Sequence, residues 1–372
     1  MAWDDIKSEG DDITPEEWNN HVADQLSAGD GGAIVQDDEP PVGESGDVWA
    51  RPGVNGGSIS TNSRHDIAHG DGGDLALDYD EARDVVYYIR DDGDMVAADP
   101  VTLDVIWERS MDGGVYNLAY SFQTDQIAAT YYTNTEFVDA ETGDTVWYAD
   151  PDDYQELVSS YTRNDGWRNF MVASQTGTDV EVTQYNIDDQ EENRTATISK
   201  NVQCIDSDED LISGDPHVLI GMNDGSISSY DGLWFDYNWN ENVHDDRVNS
   251  ISVDSGAAVS GGSDNAVIYF SHTDGLEVFW EHTQHTDRVR GVYLDDTYVY
   301  SVDRDGIVLV TERATGTVVS QSSVKETMGG KIKRTGSLVY VGTTNDNRMK
   351  AYDLERTAET YISDGELWRV VK

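Results

Sequence analysis

The chain has 372 residues, 73 acidic against 24 basic, and a formal net charge of −49. So acidic a surface repels nucleic acid and anionic membranes, and neither is an expected partner. The lone Cys204 excludes an intrachain disulfide framework and a cysteine zinc site. No run approaches the roughly 18 apolar residues of a membrane span, and the opening Met1-Ala-Trp-Asp-Asp-Ile6 lacks the basic start and apolar run of a signal peptide.

High charge with low hydropathy suits either disorder or a protein adapted to a very salty cytoplasm. The 20 Tyr and 10 Trp are core-building material and favour the second reading. At molar salt the screening length falls to about 3 Å, and the self-repulsion of such a surface is largely lost.

In chain order, residues 1–28 form an expected anchor segment. Ile13-Thr-Pro-Glu-Glu-Trp18 is a dense helix-start signal: Thr14 caps, Pro15 fits the first turn, Glu17 completes a capping box and Ile13 staples onto Trp18. The expected helix spans 14–26, with Trp18, Val22 and Leu26 on one side. It is too short to stand alone in water. Ile13, Trp18, Val22 and Leu26 therefore need a surface, either the chain's own globular part or another protein. Residues 29–72 are rich in Gly, Asp and Pro and read as linker and lead-in.

From residue 73 to 372 the chain repeats. Trp107, Trp147, Trp239 and Trp280 are separated by 40, 92 and 41 residues, the middle interval being about two periods. A period near 40 with several short strands per unit predicts an all-β fold, a β-propeller. The first unit reads Leu75–Asp80, Val85–Arg90, Asp94–Ala98 and Val105–Ser110; the second reads Val115–Ser121, Gln126–Thr133, Glu136–Ala140 and Thr145–Asp150. Later units start near Tyr154, Val202, Val243, Gln284 and Val324, which gives seven blades, with six or eight as alternatives because the third unit is degenerate. Glu366–Lys372 is expected to close the ring by pairing with the first blade, since a propeller must join its ends. Asp91-Asp-Gly-Asp, Asn223-Asp-Gly-Ser, Ser263-Asp-Asn-Ala and Asp303-Arg-Asp-Gly supply tight turns between second and third strands.

Asp139-Ala-Glu-Thr-Gly-Asp-Thr-Val-Trp147, with a weaker copy at Glu312–Val319, resembles the turn-and-tryptophan repeat of quinoprotein (PQQ-like) propellers. His244-Asp-Asp-Arg-Val-Asn-Ser-Ile and His285-Thr-Asp-Arg-Val-Arg-Gly-Val resemble the opening strand of WD40 repeats, although the Gly-His and Trp-Asp pairs of that family are missing. The WD40 resemblance implies a structural job for His285, bonding across its blade.

No nucleophile elbow, phosphate cradle or zinc-spaced His/Glu motif occurs. The His282/His285 pair lies between strands, and Asp206-Ser-Asp-Glu-Asp lacks the glycine of an EF-hand loop, Leu211 standing in its place. No catalytic, cofactor or metal site is therefore assigned, and the protein is read as a non-enzyme. A quinoprotein-type enzyme would need a cofactor pocket on the central axis. The candidate contact for a ligand or receptor is Trp234, Phe235 and Tyr237, aromatic residues crowded where other units have turns.

Trp3-Asp-Asp-Ile6 and Gly10–His21 resemble N-terminal segments of structural proteins of tailed viruses. With the saline composition, the resemblance implies a virion protein of a haloarchaeal tailed virus, made in the host cytoplasm and placed in a capsid turret, baseplate or tail fibre. It implies a homo-oligomer, bound to other virion proteins through its N-terminal arm and facing a host glycosylated surface protein. The alternative is a cellular haloarchaeal propeller acting as an interaction platform.

Overall fold

The computed structural model describes residues 59–68, residues 76–354 apart from short stretches such as 163–167, 208–216, 232–235 and 344–347, and the strand pair 360–363 and 366–369. The expected helix over 14–26, with Ile13, Trp18, Val22 and Leu26, lies outside the described residues. So do Trp234 and Phe235. By internal contacts the chain divides into two units, Ser58–Leu354 and Met1–Gly57 with Glu355–Lys372.

The larger unit begins with β1 (Ile59–Ala68). Blade 1 is β2 (Leu77–Asp80), β3 (Val85–Ile89), β4 (Asp94–Ala98) and β5 (Val105–Ser110). Blade 2 is β6 (Asn117–Ser121), β7 (Gln126–Thr130), β8 (Thr135–Asp139) and β9 (Thr145–Ala149). Blade 3 is β10 (Tyr154–Thr162), β11 (Arg168–Thr176), β12 (Asp179–Asn186) and β13 (Glu191–Ile198), with longer strands that account for its degenerate spacing. Blade 4 is β14 (Val202–Ser207), β15 (His217–Met222), β16 (Ser226–Asp231) and β17 (Tyr237–Asn242). Blade 5 is β18 (Val248–Asp254), β19 (Ala257–Gly262), β20 (Val267–Ser271) and β21 (Glu277–His282). Blade 6 is β22 (Val289–Leu294), β23 (Tyr298–Asp303), β24 (Ile307–Glu312) and β25 (Val318–Ser323). Blade 7 is β26 (Met328–Thr335), β27 (Leu338–Thr343) and β28 (Arg348–Leu354), with β1 as its fourth strand. These seven sheets are antiparallel, and their first strands touch one another in a closed cycle, β26 returning to β2. The propeller is seven-bladed.

Burial follows position in the blade. β3 is buried throughout, because its two faces meet neighbouring blades, whereas β5 alternates between exposed and half-buried residues. Tyr87, Met95, Ile127 and Val138 pack between blades 1 and 2, and Tyr300, Val310, Val339 and Tyr352 between blades 6 and 7. Each such side chain contributes roughly 2 kcal/mol by leaving water. The acidic turns behave as their composition demands: Gly93, Gly225, Asn265 and Gly306 hold positive φ angles of 87°, 84°, 68° and 78°.

The ring closes differently from the sequence expectation. The last repeat contributes three strands, which leaves β28 with an open edge, and β1 takes it from Ala68↔Arg348 to Ile59↔Leu354. Arg64 bonds Asp353 at 2.7 Å and Arg348 bonds Asp66, so opposite charges are matched across this seam. The expected closing strand instead folds on its neighbour: β29 (Thr360–Ser363) and β30 (Glu366–Arg369) form a separate hairpin.

Candidate functional site

Three of the four periodic tryptophans do the same work. The indole N–H of Trp107, Trp239 and Trp280 donates to the carbonyl of Ala140, His272 and Arg313, each 33 residues ahead in the next blade, at 3.0, 3.3 and 2.8 Å. The acceptors sit at the turn between third and fourth strands. In blade 2 that turn is built by Asp139, whose Oδ1 accepts the amides of Glu141 and Thr142 at 3.1 and 2.8 Å. The Trp107 ring lies flat against Gly143, where a Cβ would stand 2.9 Å from Cε3; Trp280 covers Gly316 in the same way, at 2.7 Å from its Cγ. The turn-and-tryptophan pattern is thus a clamp between successive blades. Trp147 departs from it: it stacks on Phe137 at 3.9 Å, and its buried Nε1 has no acceptor. Its target would be the irregular third blade.

Blades 5 and 6 carry a second repeated device. His244 Nε2 lies 2.8 Å from Ser260 Oγ and its Nδ1 3.0 Å from Asp264; His285 Nε2 lies 2.8 Å from Ser301 Oγ and its Nδ1 3.2 Å from Asp303. Burial alone would raise the two carboxyls, but the histidine bonds and nearby amides hold both below the usual range. Each set ties a blade's entry loop to its second strand. His285 has the cross-blade role its WD40-like context implies. His282 bonds Thr311 at 3.2 Å and stacks on Trp280.

The propeller axis gathers a cluster that sequence reading missed, because its members come from five blades. Asp78 of β2 accepts the Tyr120 amide at 2.8 Å, Asp206 of β14 the Val253 amide at 2.9 Å, and Ser252 of β18 the Leu294 amide at 3.1 Å. Each of these inner-strand side chains thereby reaches the first strand of the following blade. Lys333 of β26 brings its ammonium to Asp78 at 2.6 Å and over the Tyr293 ring at 5.4 Å. Burial pushes the Asp206 carboxyl up to about 6, against the opposing pull of the Val253 amide and Lys333. Burial would lower the Lys333 ammonium, yet Asp78 and Tyr293 hold it above its ordinary range. Further arginines staple neighbouring blades: Arg109 to the buried Glu136 at 2.7 Å, Arg313 to Asp254 at 2.5 Å, Arg334 to Asp295 and Arg83 to Asp125. Glu136 also accepts from Thr145, Tyr148 and Tyr131, which gives Tyr131 a core role.

Of the sequence-predicted contact residues, Tyr237 is described. It opens β17, the outermost strand of blade 4, is 59% exposed, and meets Tyr230 edge to face at 5.9 Å. It belongs to a wider set on outer strands: Val105, Ile106, Tyr148, Val278, Phe279 and Val319 are also exposed. Each stands one or two residues from a clamp tryptophan or its counterpart.

No protein-family profile matches this sequence, and no curated protein does. Solved structures match over the propeller. The Myceliophteria thermophila Cps50 (Swd1) β-propeller domain aligns with a TM-score of 0.65 at 15% identity, covering 78% of this chain and 99% of that one. The Neurospora crassa Pan2 WD40 domain aligns with a TM-score of 0.64 at 11% identity, covering 82% and 99%. The fold is a seven-bladed, WD40-like β-propeller. At these identities the likeness reaches the fold alone, and it agrees with the His–Ser–Asp sets of blades 5 and 6. The indole clamps are an additional device that this WD40-like propeller carries between its blades.

Proposed function

We propose that the protein is a non-catalytic propeller that presents binding surfaces to other macromolecules, and that it serves as a structural part of a haloarchaeal tailed virus. The observation that supports a binding role best is the exposed apolar set on the outer strands, headed by Tyr237, Phe279 and Ile106. Exposed aromatic and aliphatic residues on strands with a free edge suit a protein or glycan partner. The His, Asp and Lys groups that could do chemistry are engaged in bonds within a blade, as His244 and His285 are, or between blades, as Lys333 is, which suits a rigid display scaffold.

The virion reading draws on the N-terminal segment that includes Trp3 and Gly10–His21 and on the acid-rich composition. In it, Ile13, Trp18, Val22 and Leu26 hold the propeller to the particle as a symmetric oligomer, and Trp234, Phe235 and Tyr237 face the host glycosylated surface. The test is removal of residues 1–47. Virus assembled with the truncated protein should lack it on purified particles, while the propeller still folds. Normal incorporation of the truncated protein would overturn the anchor. If the full chain never copurifies with particles, the cellular interaction platform is the reading that remains.

A further inference from the structure

The outer strands of blades 1, 2, 4, 5 and 6 share a β-bulge just after the turn between third and fourth strands. In blade 1 the pairing jumps from Ala98↔Val105 to Ala97↔Trp107, and in blade 5 from Phe270↔Val278 to Tyr269↔Trp280. Ile106, Val146, Asn238, Phe279 and Val319 are the residues left over. A bulge drops its extra residue from the ladder and re-aims the side chain. The four apolar ones are 57%, 37%, 52% and 46% exposed. Asn238 occupies the same bulge, so the backbone there does not demand an apolar side chain. Recurrence at one register position separates these four from the singly scattered apolar residues of any surface. An acid accompanies them: Asp104, Asp144, Asp236 and Glu277 each stand three residues before a periodic tryptophan. All four are exposed, and among the described residues none of their carboxylates is paired. The turns draw on a different acid, since Asp99 Oδ1 accepts the Val101 and Thr102 amides and Asp139 Oδ1 those of Glu141 and Thr142.

We propose that the outer strand of blade 5 is a docking site for a segment of another protein that offers an apolar side chain flanked by lysine or arginine. Here both features are densest. Val278 and Phe279 are exposed side by side, and the unpaired Glu277 and Glu281 bracket them. The Phe279 ring lies 5.2 Å from that of the buried Tyr269, which lies 5.4 Å from Trp280, so the anchor point has a packed aromatic base. This site rests on the binding role proposed above and gives its partner a chemistry. The bulge blunts the strand edge against backbone pairing, which leaves recognition to side chains. Ile106, Val146 and Val319, at the matching positions, are aliphatic and offer no ring face to a sugar, so a protein fits the set better than a glycan. At molar salt the screening length is about 3 Å, and only cations in contact with Glu277 and Glu281 are held. A second copy would bring like charges against these carboxylates. A basic, apolar segment answers both the charge and the exposed rings.

The test is fluorescence anisotropy of a labelled peptide built of leucine and lysine alone, titrated with the full chain in molar salt. The wild type should bind it and ignore a leucine–glutamate peptide. Phe279→Ser, a change at an exposed position, should weaken binding about tenfold or more while keeping the Tm. The double variant Glu277→Gln, Glu281→Gln should weaken it as well, and it decides alone should Phe279→Ser disturb Trp280. Asp91→Asn with Asp305→Asn makes the same charge change on turns between second and third strands, at the other end of the blades, and should bind as the wild type does. No binding by the wild type, or an equal loss in the Asp91/Asp305 variant, would overturn the site. So would a dimer on size-exclusion chromatography that Phe279→Ser turns into a monomer, which makes a second copy the occupant, or displacement of the peptide by a neutral oligosaccharide, which makes it a glycan. The binding role itself is judged separately, by copurification of the full chain with particles.

Discussion

At the scale of single residues, the indole clamps separate two roles that the same side chain plays. Trp280 both covers Gly316 and satisfies the Arg313 carbonyl, whereas Trp147 stacks on Phe137 with its N–H unpaired. Trp280→Phe should therefore cost about 1–3 kcal/mol beyond any loss of packing, because it orphans a carbonyl. Trp147→Phe removes a donor that had no acceptor and should cost less. Chemical denaturation of the two variants checks the order. Asp206 makes the second residue-scale prediction. Its folded carboxyl is raised to about 6, so the native state holds the proton more tightly than the unfolded chain, and stability falls as pH rises from about 4 through 6. Asp206→Asn keeps an oxygen for the Val253 amide and removes that titration. The variant should gain on the wild type by about 1–2 kcal/mol between pH 4 and 7, allowing for partial solvent screening. Parallel stability curves for the two proteins would contradict it. His272 acts with the opposite sign: its lowered value of about 3 takes stability away as pH falls below about 6.5, where the unfolded imidazole gains its proton.

Among elements, β1 carries a consequence out of proportion to its length. The seventh blade has three strands from the C-terminal end of the propeller and borrows its fourth from Ile59–Ala68, so the two ends of the unit are sewn together by one antiparallel seam. A chain trimmed through residue 57 retains every strand of the propeller and should unfold in one cooperative transition. Trimming through residue 68 removes β1, leaves the β28 edge unpaired and strips Asp353 and Arg348 of their partners. That version should lose cooperativity or aggregate through the open edge. Circular dichroism melts and size-exclusion chromatography distinguish the two. Equal behaviour would show that the seam is dispensable.

For the molecule as a whole, a net charge of −49 sets the conditions under which the ring holds. Basic residues are scarce, and many of those described are spent between blades, as Arg83, Arg109, Arg313, Lys333 and Arg334 are. The remaining acids repel one another until salt screens them. Cooperative unfolding should therefore be lost below about 1 M salt, where the screening length grows past about 3 Å. Full stability in dilute buffer would refute the saline assignment. The sequence by itself determined the repeat, the turns and the number of blades, because those rest on local order: a glycine or asparagine with positive φ, an apolar run, a tryptophan every 40 or so residues. It also marked His285 as a cross-blade bond. Tertiary structure alone decided which terminus closes the ring, that Asp78, Asp206, Tyr293 and Lys333 meet on the axis, and that His217 faces His272. Those contacts join residues far apart in the chain, and the energy that brings them together comes from burying one blade against the next, which no local pattern records.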